Sequence, residues 1–375
     1  MSYEADITII GAGAVGLAIA AELARHRKDI LVLEKNESFG RETSSRHSGV
    51  IHSGIYYPQG SLKAKLCVAG NRKLYRLCQR YGIGHDRLGK LIVAVSKDEL
   101  PELESLYKKG VANGAESLRL ISKREVNALE PYVSAIAALW SPDTGIIDSY
   151  ALMQCYEVQA VSNGAQIAFK TKAVGTERVA SGYKVAVEDE SGTFSFASRV
   201  LINCAGLYSD KVAEMAGIDV DRAGYRLHYC KGEYFSVGGG MNRLVKRLIY
   251  PVPPESTGVG IHVTLDLDGR MKLGPDAYYV DEIDYTVDSR HKQTFYEAVK
   301  RFLPQLEPDD LEPDMAGIRP KLQAPGEDFR DFVIREESDK GLPGFINLIG
   351  IESPGITASP AIAEYVSGMV KELLG

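Results

Sequence analysis

Asp6-Ile7-Thr8-Ile9-Ile10-Gly11-Ala12-Gly13-Ala14-Val15-Gly16-Leu17-Ala18-Ile19-Ala20, followed by Ile30-Leu31-Val32-Leu33-Glu34, is the stretch that decides the fold. It reads as an apolar strand, a glycine-rich turn, a helix of small residues, a second apolar strand and a terminal acid. Gly11 lets the chain turn tightly out of the strand, Gly13 lets backbone approach a pyrophosphate, and Gly16 lets the helix pack close to the sheet. The helix start at Ala14 and Val15 offers N–H groups to phosphate oxygens. Glu34 lies 23 positions after Gly11, where a carboxylate accepts from ribose hydroxyls. A glycine-rich turn alone is a common structural device. Strand, turn, helix, second strand and acid in this order predict a bound dinucleotide.

The chain has 375 residues, more than one hydrophobic core supports at roughly 250–300 residues, so two lobes are expected. Its 45% hydrophobic and 25% charged residues are ordinary for a soluble globular protein. A formal net charge of -6 argues against nucleic acid as a partner. Cys67, Cys78, Cys155, Cys204 and Cys230 are odd in number and form no CxxC pair, which predicts reduced thiols and no metal site. The first strand begins too early to leave room for a secretory leader, and no apolar run reaches the ~18 residues of a membrane span. The expected location is cytoplasmic, with peripheral contact to the inner membrane left open.

Nucleotide-domain signals recur along the chain. Val200-Leu201-Ile202-Asn203-Cys204-Ala205-Gly206 and Phe345-Ile346-Asn347-Leu348-Ile349-Gly350 read as further buried strands. The second leads into a helix with Ile362, Ala363, Tyr365, Val366, Met369, Val370 and Leu373 at helical spacing. Residues 170–200 and 225–280 alternate as antiparallel strands between Gly-containing turns. Helices are expected near 62–81, 98–113, 149–163 and 289–303. The fold class expected is α/β plus α+β. A discontinuous Rossmann-like domain (1–85, 146–222 and 315–375) would carry an inserted, mostly antiparallel substrate domain (86–145 and 223–314).

The segment after Glu34 separates the dinucleotides. Lys35 through Gly54 includes Thr43-Ser44-Ser45-Arg46-His47-Ser48-Gly49, a polar, hydroxyl-rich loop where a nicotinamide-binding fold would continue differently. A chain laid along an extended FAD needs such hydroxyl and backbone donors. These residues resemble the FAD-dependent D-amino acid oxidase superfamily, as do Asn203-Cys204-Ala205-Gly206, Gly317-Ile318-Arg319-Pro320 and Ser353-Pro354-Gly355-Ile356-Thr357. Within it, Ser48-Gly49-Val50-Ile51-His52-Ser53-Gly54-Ile55-Tyr56-Tyr57 is similar to the L-2-hydroxyglutarate dehydrogenase/oxidase branch. So are Tyr250-Pro251-Val252-Pro253 and Gly260-Ile261-His262-Val263-Thr264. That branch usually carries Arg where this chain has Lys231. The resemblance implies FAD contacts from the Gly11 loop, Glu34, Lys35, residues 43–45 and 47–49, Ala205, Gly206, Gly317, Arg319 and 353–357. It also implies a backbone contact from Val174 to adenine.

Oxidising a 2-hydroxy acid requires hydride loss from Cα, a base for the hydroxyl proton and cations for carboxylate. His52 is the first candidate base and His262 the alternative; a packing role is the plain reading of each. Arg319 suits a bidentate grip on the α-carboxylate, against a structural ion pair. Lys231 and Arg270 are candidates for a second carboxylate, with solvated surface charge as the rival reading. Tyr250 and Tyr57 are candidate phenolic donors. The expected ligands are therefore FAD and a small-molecule carboxylate, with the electron acceptor (oxygen, a quinone or a protein) left open. Two rivals stand: an amine or amino acid oxidase of the glycine/sarcosine type, and a flavin-binding subunit that takes no small acid.

Overall fold

The computed structural model describes residues 4–253 and 260–375. The chain divides into two compact units, Met1–Ser45, Ser149–Tyr229 and Arg319–Gly375 in the first, Arg46–Asp148 and Cys230–Ile318 in the second.

At the centre of the first unit the strand Glu4–Ile10 lies parallel to Ile30–Leu33 on one side and to Gly192–Asn203 on the other. Gln166–Ala168 and Leu342–Ile349 extend the parallel arrangement at either end. Ile7, Ile9, Val32, Ile202, Phe345 and Ile346 are wholly buried, as expected for parallel strands covered on both faces. The 170–200 region forms the hairpin Lys172–Val179/Gly182–Asp189, which pairs antiparallel with the start of Gly192–Asn203. The helix Ala14–Ala24 packs between the helices Ser149–Ser162 and Gly355–Leu374. Its Ala18, Ala20 and Ala21 permit close approach on both sides, while Leu17 and Ile19 fill the interior. Truncating such a buried Leu to Ala costs about 2–5 kcal/mol.

The second unit is built on a mainly antiparallel sheet that runs Tyr278–Val280, His228–Val237, Met271–Leu273, Val263–Leu265, Leu248–Pro251, Lys90–Ala94, Ala137–Ser141, Arg119–Ser122. One neighbouring pair, Leu248–Pro251 with Lys90–Ala94, is parallel. Leu91, Ile92, Leu248, Ile249, Phe235 and Phe295 lie in its core.

The helix Leu62–Tyr81 is bounded by a Ser61 side-chain cap on Ala64 N–H and by Gly82 at φ +66°. It belongs to the second unit, although the sequence places residues up to 85 with the nucleotide domain. The reason is non-local: Asn71 Nδ2 donates to the carbonyls of His52 and Asp143, each at 2.9 Å. A short helix at Lys123–Leu129, closed by a Ser122/Glu125 capping box, is an addition to the expected elements.

Candidate active site

The first unit carries a cradle made mostly of backbone. Gly11 has φ +107°, and a Cβ there would lie 2.5 Å from the Cys204 carbonyl oxygen. A Cβ at Gly16 would lie 2.0 Å from the Gly11 carbonyl oxygen. The turn therefore closes on itself and on the 204–206 loop, which any side chain would prevent. Behind that loop, Asn203 Nδ2 donates to Ser209 O at 2.7 Å and to Asn347 Oδ1 at 2.9 Å. Asn347 Nδ2 in turn donates to Glu337 Oε1 at 2.9 Å. These buried side chains fix Ala205 and Gly206 against the glycine turn.

Donors and acceptors in the cradle fit a dinucleotide. Ser44 Oγ accepts from Ala14 N–H at 3.0 Å, so an oxygen already sits on the first helical turn where a phosphate oxygen would bind. Thr43 and Ser45 share a short 3-10 turn with it. Buried Glu34 accepts from Ala12 N–H at 2.9 Å, and from Asn36 N–H and Nδ2 at 2.9 and 2.8 Å. A carboxylate has about four acceptor positions, leaving one for a ribose hydroxyl. The ladder skips between Ala173, opposite Val187, and Gly175, opposite Ala186. Val174 thus stands at a bulge, with its peptide outside the regular pairing. The 20-residue helix Gly355–Leu374, entered through Ser353 and Pro354, presents the backbone of Ile356 and Thr357 in its first turn. Lys35 is committed elsewhere, 2.9 Å from Glu42 and over the Tyr208 ring.

The second unit carries a cluster made of side chains. Tyr250 is buried on its strand, and the His262 ring stacks on it at 3.7 Å between centroids and 21° between planes. Lys90, in register with Leu248 on the parallel neighbour, places Nζ 4.5 Å from the ring centroids of both Tyr56 and Tyr250. His262 Nδ1 is 2.7 Å from the Gly260 carbonyl, which only accepts, so Nδ1 carries a proton. The His52 carbonyl is held by Asn71 and by the Cys67 thiol.

Electrostatics keep this cluster mostly neutral. Burial, followed by repulsion from Lys90, His262 and His47, holds His52 down to about 3. Burial pushes the Lys90 ammonium down to about 7, with the Cys67 thiol acting in the opposite sense. Burial also raises both the Tyr56 and Tyr250 phenols. Neither of those two hydroxyls has a hydrogen-bond partner.

Several expected residues stand apart from the cluster. Lys231 is buried with Nζ 3.0 Å from Asp284 and 3.5 Å from Glu233, and also donates to Thr286 O. Glu233 accepts from Tyr278 at 2.8 Å and from His291 at 2.7 Å. Two carboxylates already neutralise Lys231, so its expected role at a substrate carboxylate gives way to a structural one. Arg270 is corrected likewise. It closes the turn between Val263–Leu265 and Met271–Leu273, its side chain 60% exposed and paired with Asp266 and Asp268. Tyr57 contributes its carbonyl to Asn113 at 2.8 Å, whereas its neighbour Tyr56 supplies the ring in the cluster.

His47 Nδ1 accepts from Gly49 N–H at 2.9 Å, which shapes the Ser48 turn. Gly317 allows the Arg46 carbonyl to approach where a Cβ would lie 2.1 Å away. Arg319 is half-buried on the strand Leu311–Lys321. Three residues of note were not expected: Lys90, Tyr56 and Arg46. The Arg46 guanidinium lies 3.9 Å over the Tyr285 ring, and its buried Nε has no partner.

A family model described as FAD dependent oxidoreductase matches residues 6–369. The chain is 36% identical to the mitochondrial L-2-hydroxyglutarate dehydrogenase of Arabidopsis thaliana, over 96% of this chain and 82% of that protein. It is 31% identical to a glycerol 3-phosphate dehydrogenase of Caloramator mitchellensis, over 98% of this chain and 74% of that one. Among solved structures, the dithionite-reduced L-α-glycerophosphate oxidase of Mycoplasma pneumoniae with FAD bound superposes with a TM-score of 0.86 at 28% identity. That match covers 98% of this chain and 95% of the other. Among the described residues no helix is long and apolar enough to cross a membrane.

Proposed function

We propose, from the premise that this chain belongs to the FAD-dependent oxidoreductase family, that it oxidises a small 2-hydroxy acid, with L-2-hydroxyglutarate the leading substrate. The observation that carries this reading is the gathering of two imidazoles, His52 and His262, beside an ammonium and two phenols in the second unit, with His52 held uncharged. A 2-hydroxy acid presents a hydroxyl proton to remove and negative charge to hold, and this set answers both needs. FAD, when bound, supplies the acceptor for the hydride.

The protein's own part is binding and proton movement. Arg319 holds the α-carboxylate through its planar fork. His52, uncharged throughout the neutral range, accepts the hydroxyl proton at a ring nitrogen. Burial is the main cause of that depression; an arriving carboxylate offsets the second, the repulsion from Lys90, and to that extent raises the basicity of His52. His262, with Nδ1–H directed to Gly260, offers Nε2 as acceptor to the same hydroxyl.

A second reading, oxidation of glycerol 3-phosphate, is supported by the likeness to the two glycerophosphate enzymes. One panel separates these and the amine-oxidase alternative. The yellow protein is mixed without oxygen with L-2-hydroxyglutarate, L-2-hydroxybutyrate, glycerol 3-phosphate, glycine or sarcosine, and bleaching is followed at the flavin band. Fastest bleaching by L-2-hydroxyglutarate is expected. Preferential bleaching by glycerol 3-phosphate or by an amine overturns the proposal.

A further inference from the structure

Lys90 is 1% exposed and heads the strand Lys90–Ala94, whose other four residues are all buried and apolar. Among the described residues its ammonium makes no hydrogen bond and no ion pair; it lies over the faces of Tyr56 and Tyr250, 4.5 Å from each centroid. An isolated buried charge is among the most costly arrangements in a protein interior. Here it adjoins two rings whose hydroxyls also lack partners. An ammonium and two phenols from three separate segments thus pack together, their donors left without an acceptor from the protein.

We propose that Lys90, with the hydroxyls of Tyr56 and Tyr250, forms the seat for the distal carboxylate of the substrate and so selects a 2-hydroxy diacid over a monoacid. This rests on the 2-hydroxy acid reading above. A carboxylate has the acceptor positions to take all three donors. Charge balance favours it over a phosphate dianion. The groups facing Lys90 are Tyr56, Tyr250 and Cys67, with His52 and His262 beyond. Burial keeps the phenols, the thiol and the His52 imidazole uncharged near neutrality, so the one ammonium matches a charge of minus one.

The test uses Lys90→Met and Lys90→Gln in the FAD-loaded protein. Loss of the ion pair should reduce kcat/KM for L-2-hydroxyglutarate by about 100-fold, mostly through KM, because hydrogen bonds to charged groups are the strong ones. Turnover of L-2-hydroxybutyrate, which has no distal carboxylate, should fall at least about tenfold less than that of the diacid, so the diacid preference collapses. Glutarate, which has no hydroxyl to oxidise, reports binding alone through its perturbation of the flavin spectrum. In the native protein its affinity should be full below pH 7 and fall by up to about tenfold per pH unit above it, as Lys90 loses its proton. Both variants should show a flat profile. Lys90→Met should melt at the same or a higher temperature, since an unpaired buried charge is removed.

Equal losses for diacid and monoacid, or a lowered melting temperature with the diacid preference intact, would overturn the assignment. The two readings fail separately. Lys90-dependent glutarate binding without oxidation of any 2-hydroxy acid keeps the carboxylate seat and removes the proposed reaction. Oxidation of L-2-hydroxyglutarate with the preference unchanged in both variants removes the seat and keeps the reaction.

Discussion

The glycine cradle of the first unit and the aromatic–imidazole cluster of the second are built by opposite means. In the cradle, main chain does the work: Gly11 and Gly16 permit backbone contacts at distances no side chain tolerates, while Ser44 and Glu34 satisfy nearby N–H groups. In the cluster, side chains from the loop at 52–56 and the strands at 90 and 250 meet, and several polar atoms have no partner. The cradle is satisfied in itself. The cluster is in electrostatic deficit, and such a deficit is a statement about what it receives. One region is therefore defined by shape, the other by missing charge.

The difference is open to attack at four points, in descending order of effect. Gly16→Val drives a side chain into the Gly11 carbonyl, so the purified variant should retain no FAD through gel filtration, a loss of affinity of about 100-fold or more. A yellow variant with a normal ratio of flavin to protein absorbance would break the claim that backbone builds the cradle. His52→Ala should keep its FAD and slow anaerobic bleaching by about 100-fold, the usual contribution of a positioned base. An unchanged rate would clear His52 of proton removal.

Tyr250→Phe removes a hydroxyl that has no partner in the free protein, so melting should shift by no more than about 1 °C while KM rises about tenfold. A large drop in stability with KM unchanged would make the cluster ordinary core. Arg270→Ala sharpens the contrast from outside. As an exposed turn cation paired with two acids, it should change kcat/KM by less than about twofold and leave melting within about 1 °C.

The sequence was legible where chemistry follows spacing along the chain. Gly11, Gly13, Gly16 and Glu34 sit at intervals fixed by one strand–turn–helix–strand unit, so their places in the cradle follow from position alone. The helix Leu62–Tyr81 was equally plain from its periodicity, yet its place in the second unit depends on Asn71 reaching His52 and Asp143. The cluster lay beyond such reasoning. Lys90 looks like a charged strand start, and only the pairing with Leu248–Pro251 brings it to Tyr250. Tyr56 and Tyr57 are adjacent, and which one turns inward is decided by packing. Lys231 and Arg270 had suitable charge, but Asp284, Glu233, Asp266 and Asp268 had already claimed them.

The strand Leu342–Ile349 lies beside Gly192–Asn203, and the helix Gly355–Leu374 closes over Ala14–Ala24. During synthesis the glycine turn emerges first but lacks that neighbouring strand and covering helix until residues 342–374 have left the ribosome. The cradle is therefore complete only once that strand and helix are in place. A chain interrupted anywhere before that segment would carry the dinucleotide signature in full and remain colourless.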